Sequence, residues 1–240
     1  MSKEKRNIEV CFSPALFSAY KNTRAIAVVT DVLRATSAIV TAFENGVERI
    51  IPVGTLEEAR AYKERGFMVA AERDGVVRDF ADFGNSPYNF TRERVEGQQI
   101  VYSTTNGTQG IHVARECHRV VIGAYLNFSA VSEWIEQQDR DVIILCAGWK
   151  NKFNLEDSLY AGALAYKLIS TGNYRTICDS ALAAMDLWDK ARPDLMGYID
   201  KVAQKERLRK NNLDDVIEYC HTFDKTRVVP VLEGDHLKNL

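Results

Sequence analysis

The chain reads as an α/β protein, a three-layer αβα arrangement around a mainly parallel sheet with a helical C-terminal segment. Two observations predict it. From about residue 25 to residue 171, short β-branched apolar runs alternate with stretches of helical periodicity, and strands alternating with helices imply right-handed crossovers that cover both faces of a sheet. From about 175 to 224 the pattern turns helical throughout. A single domain over 1–240 is expected, with a boundary near 175 as the one place where it could divide.

The elements follow in order. Residues 25–33 (AIAVVTDVL) form a near-continuous apolar run, the mark of a strand buried on both faces, with Asp31 and Arg34 at its C-terminal end. Ala35, Ile39, Ala42 and Phe43 then fall at helical spacing, and Asn45-Gly46 closes that helix. Residues 49–53 are a second strand. Thr55-Leu56-Glu57-Glu58 is a capping box opening a helix to Arg65, stopped by Gly66. A third strand, 67–71, delivers Glu72 and Arg73. Residues 73–97 break the alternation for longer than an ordinary connection, which points to function, and the turn-rich Asp82–Pro87 presents Asn85 and Ser86. Strands at 98–104, 119–124 and 141–147 then alternate with helices at 109–117, 128–138 and 155–171. Pro193 is expected to start one of the C-terminal helices. The last apolar run, 226–232, is interrupted by Pro230 and is therefore expected at a sheet edge or outside the sheet.

Composition narrows the function. With 240 residues, 46% of them hydrophobic, the chain can bury a large core, and its net charge of -2 with no basic run argues against nucleic acid as partner. The N-terminal Met1–Asn7 leads into no apolar segment and no stretch reaches membrane-spanning length, so no membrane partner and a cytoplasmic location are expected. Five scattered cysteines without a CxxC fit neither a disulfide framework nor a structural zinc site.

The chemistry centres on Val101–Thr108, a buried strand that ends in Thr104, Thr105, Asn106, Gly107 and Thr108 before a helix predicted to begin near Gln109. Free N–H groups at a helix start, with a glycine that lets a ligand approach, can cradle an anion. The same residue types also serve as plain caps. Ligands of open α/β sheets bind beyond the carboxyl ends of strands, and four predicted strands end in capable groups: Asp31 with Arg34, Glu72 with Arg73, the Thr104–Thr108 loop, and Cys146-Ala147-Gly148. In a parallel sheet all four meet at one edge. Glu156 and Asp157, opening the next helix, are either dipole-favoured caps or part of the site. Asp31, abutting an apolar strand, needs a partner, either an ion pair with Arg34 or a bound cation.

The series DVLRAT at 31–36, AER at 71–73, GNSP at 84–87, TTNGT at 104–108, CAG at 146–148 and FNLEDSLYAG at 153–162 resembles, in order and spacing, the 2-phosphosulfolactate phosphatase (ComB) family. The resemblance implies an α/β fold of its own, ComB-like type, and a Mg2+-dependent phosphoric monoester hydrolase. Its substrate would be a small anionic phosphate ester, 2-phospho-3-sulfolactate, cleaved to 3-sulfolactate and phosphate as in coenzyme M biosynthesis. A homo-oligomer such as a dimer is left open. On that reading Asp31 and Glu72, with Glu156 or Asp157, surround the metal, since Mg2+ favours hard oxygen ligands. Arg34 and Arg73 would grip the phosphate or sulfonate in bidentate fashion. Thr104, Thr105, Asn106, Gly107 and Thr108 would form the oxyanion loop, Asn85 and Ser86 would orient the rest of the ligand, and Cys146 and Gly148 would border it.

The family pattern usually continues TTNGT with an arginine, whereas this chain has Gln109, with Lys150 and Lys152 as cations that could compensate. Asp79–Phe83 also lacks the glycine expected before Gly84. Other phosphatase chemistries fit less well. Cys146 is followed six residues on by Lys152, not by the arginine of a cysteine phosphatase, and is most simply a packed small hydrophobe. Leu33 stands where an aspartyl-phosphate enzyme has a second Asp. Attack by a metal-bound water or by Asp31 both stay open. The alternative to an enzyme is a non-catalytic binder of a small anionic phosphometabolite.

Overall fold

The computed structural model describes residues 4–240; residues 1–3, the start of the segment read as carrying no targeting signal, lie outside the described residues. Strands β1 (Arg6–Cys11) and β2 (Ile26–Thr30) are followed by α1 (Ala35–Glu44), β3 (Arg49–Pro52), α2 (Leu56–Glu64), β4 (Met68–Arg73) and a short β5 (Val76–Val77). A one-turn α3 (Arg92–Val95) leads into β6 (Gln99–Ser103), α4 (Gly107–Ala114), β7 (Arg119–Ile122), α5 (Phe128–Gln138), β8 (Val142–Cys146) and α6 (Leu155–Ser170). The remainder comprises β9 (Tyr174–Arg175), α7 (Asp179–Ala191), α8 (Leu195–Ile199), α9 (Ala203–Lys210), α10 (Ile217–Cys220) and the hairpin β10 (Pro230–Glu233) and β11 (His236–Asn239).

All the strands join one sheet in the order β5-β4-β6-β3-β11-β10-β7-β2-β8-β1-β9. Pairing is parallel within β4-β6-β3 and within β7-β2-β8-β1-β9, and antiparallel through the hairpin and at β5. The mainly parallel α/β expectation therefore holds, and both faces are covered. On β2, Ile26 and Val28 pack with α5 and α6 residues such as Val131 and Leu164, while Ala27 and Val29 pack with Ile39 of α1 and Ile111 of α4. That alternation is the period-2 pleat of a strand with two apolar faces.

The expectation of one shared carboxyl edge needs correction. Going from β3 through β11 and β10 to β7 crosses three antiparallel pairings, so the two parallel blocks run in opposite senses. In a flat sheet β6 and β2, five strands apart, would lie about 24 Å from each other. Yet a Cβ added to Gly107, just past β6, would fall 2.6 Å from Ala35 Cβ, just past β2. The sheet therefore folds back across the hairpin, whose flanks are held by the register points Val231–Val121 and Leu237–Ile50. This fold-back, with α4 packed on β2, brings the strand ends together.

Several boundaries differ from expectation. The final strand is not peripheral: β10 sits between β11 and β7, and Pro230 is tolerated because it is the first residue of that strand, where a missing N–H costs least. Pro193 precedes α8, which Asp194 caps by accepting from Gly197 N at 3.0 Å. Helix α4 begins at Gly107, two residues earlier than expected, and the capping box at Thr55–Glu58 forms as read. Strands β1, β5, β9 and β11 were not foreseen. Among the described residues no helix is long and apolar enough to cross a membrane.

Candidate active site

Asp31, Arg34, Glu72, Asn85 and Asn106 line one narrow cavity of about 30 Å3, room for roughly two waters. All five are polar yet at most 7% exposed, a combination that is costly unless the groups are paired or hold a ligand. Asp31 leaves β2 just before α1. Its backbone N–H donates to the Thr36 hydroxyl at 3.0 Å, and its Oδ1 receives only a long bond from Ala35 N at 3.5 Å. Burial and the neighbouring Glu72 push the Asp31 carboxyl up from 3.8 to about 7.

The ion pair between Asp31 and Arg34 does not form. Arg34 instead donates from Nη2 to Asn85 Oδ1 at 2.7 Å. Its Nη1 is buried without a partner, and burial lowers the guanidinium's pKa. Glu72 is held in place by three donors: Gly75 N at 2.7 Å, Thr105 N at 2.9 Å and Thr105 Oγ1 at 3.2 Å. Asn106 accepts from Lys150 N through Oδ1 at 3.0 Å, an arrangement that leaves its amide N–H groups for another acceptor.

The other residues expected in the site sort differently. Arg73 follows Glu72 on β4, and successive side chains on a strand point to opposite faces. It donates to Glu72 O at 2.6 Å and Ser103 Oγ at 3.0 Å, and lines a second, larger cavity of about 530 Å3 with Thr104, Thr105, Thr108, Gln109 and Arg115. Thr104 and Thr108 bond to each other's backbone, Thr108 Oγ1 to Thr104 O at 3.1 Å and Thr108 N to Thr104 Oγ1 at 3.4 Å, so these hydroxyls act as caps of α4. Gly107 is where α4 meets α1: a Cβ there would lie 3.1 Å from Asp31 Oδ2 as well as against Ala35. Ser86 is partly exposed and precedes the turn at Pro87–Asn89 without lining the Asp31 cavity.

Cys146 is fully buried, and burial pushes its thiol up, as suits a packed small hydrophobe. Gly148 has φ 66, and a Cβ there would come 2.4 Å from Lys152 O. Its N–H donates to Asp157 Oδ2 at 3.1 Å. Asp157 also accepts from Val32 N at 2.8 Å and Asn154 Nδ2 at 2.8 Å, so both its oxygens tie the ends of β2 and β8 to α6 and neither faces the cavity. Glu156 accepts from Asn154 Nδ2 at 3.0 Å through one oxygen, while Oε2 is buried with no partner. Burial raises both carboxyls, and for Asp157 the nearby Asp31 and Glu156 add to it.

Whether these residues suit Mg2+ is decided by that oxygen inventory. Among the described residues no three His, Cys, Asp or Glu side chains close into a ready-made metal cage. Mg2+ characteristically uses one or two carboxylates, waters and substrate phosphate oxygens instead. Asp31, with free acceptor capacity, fits that mode, with Glu72 on the same cavity. Glu156, whose Oε2 is unpartnered, does not line that cavity but is near enough for its charge to raise the Asp31 carboxyl. Asp157 has no oxygen left to offer.

Sequence reading missed the roof of the cavity. Gln204, Arg207, Leu208 and Asn211, in or just after α9, close it together with Trp149 and Asp74. Lys150 is engaged by Asp74 at 2.8 Å. The AQKERLRK sequence of α9 looks like a solvated surface helix, so no periodicity signal marks it as part of a site.

Comparison with known proteins identifies the family. A sequence profile described as 2-phosphosulpholactate phosphatase matches residues 11–235. A protein of Thermotoga maritima named "Probable 2-phosphosulfolactate phosphatase" is 37% identical over 206 residues, 86% of this chain and 88% of its own. Proteins of the same name from Caldanaerobacter subterraneus subsp. tengcongensis and Gloeobacter violaceus are 35% and 36% identical, covering 86% and 88% of this chain and 87% and 89% of theirs. With the strand-end residues gathered on one cavity and the likeness running nearly end to end, the chain belongs to the 2-phosphosulpholactate phosphatase family.

Proposed function

We propose that this protein hydrolyses a small anionic phosphate monoester, 2-phospho-3-sulfolactate, to 3-sulfolactate and phosphate, a reaction of the coenzyme M type, with Mg2+ as cofactor. The observation that carries the reading is the cavity itself: Asp31 and Arg34 from the β2–α1 turn, Glu72 from β4 and Asn106 from the start of α4, three separate segments, meet in a buried space on a chain whose relatives bear that name. Arg34 offers a buried Nη1 without a partner, and a guanidinium held by Asn85 is pre-oriented to grip a phosphoryl oxygen. The Asn106 amide donates to a second oxygen. Thr105 and Gly75 fix Glu72, so the acidic wall does not have to reorganise during reaction. Asp31 either takes a proton from an attacking water and returns it to the sulfolactate oxygen as the P–O ester bond breaks, or attacks the phosphorus itself, expelling sulfolactate as its oxygen picks up a proton from solvent and leaving an aspartyl phosphate that a water then hydrolyses to free phosphate. Mg2+, held by Asp31 and Glu156 with Glu72 alongside, would neutralise the phosphoryl charge as a Lewis acid.

The test is release of inorganic phosphate from 2-phospho-3-sulfolactate, 2-phospholactate and p-nitrophenyl phosphate, with Mg2+ or with EDTA. Mg2+-dependent turnover, highest on 2-phospho-3-sulfolactate, is expected. Calorimetric binding of the intact esters with no phosphate release would instead identify a non-catalytic binder.

A further inference from the structure

Resting on that reading, we infer that Arg207 on α9 is a specificity residue which binds one of the two further acid groups of the substrate, the carboxylate or the sulfonate that flank the carbon bearing the phosphoryl group. Arg207 lines the same cavity as Asp31, Glu72 and Arg34 but stands at its roof, partly exposed where Arg34 is only 4% exposed. A phosphoryl group lodged between Arg34 and Asp31 therefore points the rest of its ester toward α9.

The guanidinium of Arg207 is oriented without being consumed. Its Nε donates to Gln204 Oε1, and Gln204 in turn donates to Leu33 O at 3.3 Å, so the arginine is referenced to the backbone beside Arg34. Its plane lies over the Trp149 ring, 4.5 Å from the centroid, which fixes the fork through a cation–π contact. Among the described residues its one hydrogen bond is the one from Nε, and no carboxylate lies within 4.0 Å of it, although the charge of Glu156 is near enough to act on the guanidinium. The neighbouring cations differ: Lys150 is paired with Asp74, Lys205 with Asp200, and Arg209 with Glu206 and Asp214. A fixed planar fork with its Nη1/Nη2 end free matches a carboxylate or sulfonate, which offers two oxygens in one plane. Gln109 and Arg73 are not rivals for this contact in the same space, since both face the larger cavity.

The experiment compares Arg207→Gln and Arg207→Ala with wild type in the presence of Mg2+, on 2-phospho-3-sulfolactate and on p-nitrophenyl phosphate, which has no second acid. The expected result is a fall of about 10- to 100-fold in the ratio of kcat/KM for the first ester to that for the second, carried mainly by KM. Melting temperatures of the variants establish that they fold. An equal loss on both esters would mean that Arg207 merely braces the roof, and overturns the inference. No loss on either overturns it as well. If wild type cleaves neither ester, the phosphatase reading itself fails and the inference falls with it, a result distinguishable from the other two.

Discussion

Replacing Asp31 by asparagine should make the metal-free protein more stable while abolishing its activity. The physical basis is the buried carboxyl's resistance to ionisation: burial and the charge of Glu72 lift it from 3.8 to about 7. The sign follows from linkage. A folded-state pKa above the unfolded one means that the native state holds the proton more tightly, so Asp31 costs nothing below pH 3.8, costs progressively more between 3.8 and about 7, and carries its full penalty above that. The gap corresponds to about 4 kcal/mol as an upper figure. For a chain of this size that is a melting-temperature difference on the order of 10 °C. Asparagine keeps the shape and the weak acceptor role toward Ala35 N without the charge. Thermal melts in EDTA should therefore show Asp31→Asn above wild type at pH 8, with the difference shrinking toward pH 4. Adding Mg2+ should then raise wild type and leave the variant where it was. A variant equally or less stable than wild type at pH 8 in EDTA would refute the claim that Asp31 is an unpaired buried charge kept for function.

Other outcomes follow from the same geometry. Asp157→Ala strands two buried backbone N–H groups, those of Val32 and Gly148, so it should destabilise by about 3 kcal/mol or more in urea titration, with or without Mg2+. Gly107→Ala places a methyl group 2.6 Å from Ala35 Cβ, and overpacking of that kind should cost about 1–3 kcal/mol and depress phosphate release by shifting Asp31. The cavity of about 30 Å3 is smaller than the proposed ester and α9 is its roof. Hydrogen exchange should therefore show the backbone of residues 203–212 slowing when Mg2+ and orthovanadate bind, and no change there would mean that α9 does not move to admit ligand.

How much of this was legible in the sequence depends on the kind of signal. The alternation of strands and helices from β2 to α6 was readable because buried parallel strands are continuous apolar runs and the intervening helices carry caps such as Thr55–Glu58. Strand β1 was not, since Arg6 and Glu9 interrupt its apolar residues. The hairpin was misjudged because Pro230 reads as a breaker until its place at the start of a strand is known. For the site, strand-end placement foresaw that Asp31, Glu72, Asn106 and, with the turn before Pro87, Asn85 would share one cavity. It did not foresee that the pleat turns Arg73 to the opposite face from Glu72, or that the oxygens of Asp157 go to backbone donors. The roof residues of α9 could not have been found at all. Their position depends on how the C-terminal helices cross back over the sheet, and no local pattern encodes that.

The most direct test of the account is a crystal structure of the protein with Mg2+ and orthovanadate. Vanadate should lie between Arg34 and Asn106, with the cation against Asp31 and Glu156. Vanadate held instead in the larger cavity by Arg73, His112 and Arg115, with nothing bound at Asp31, would contradict it.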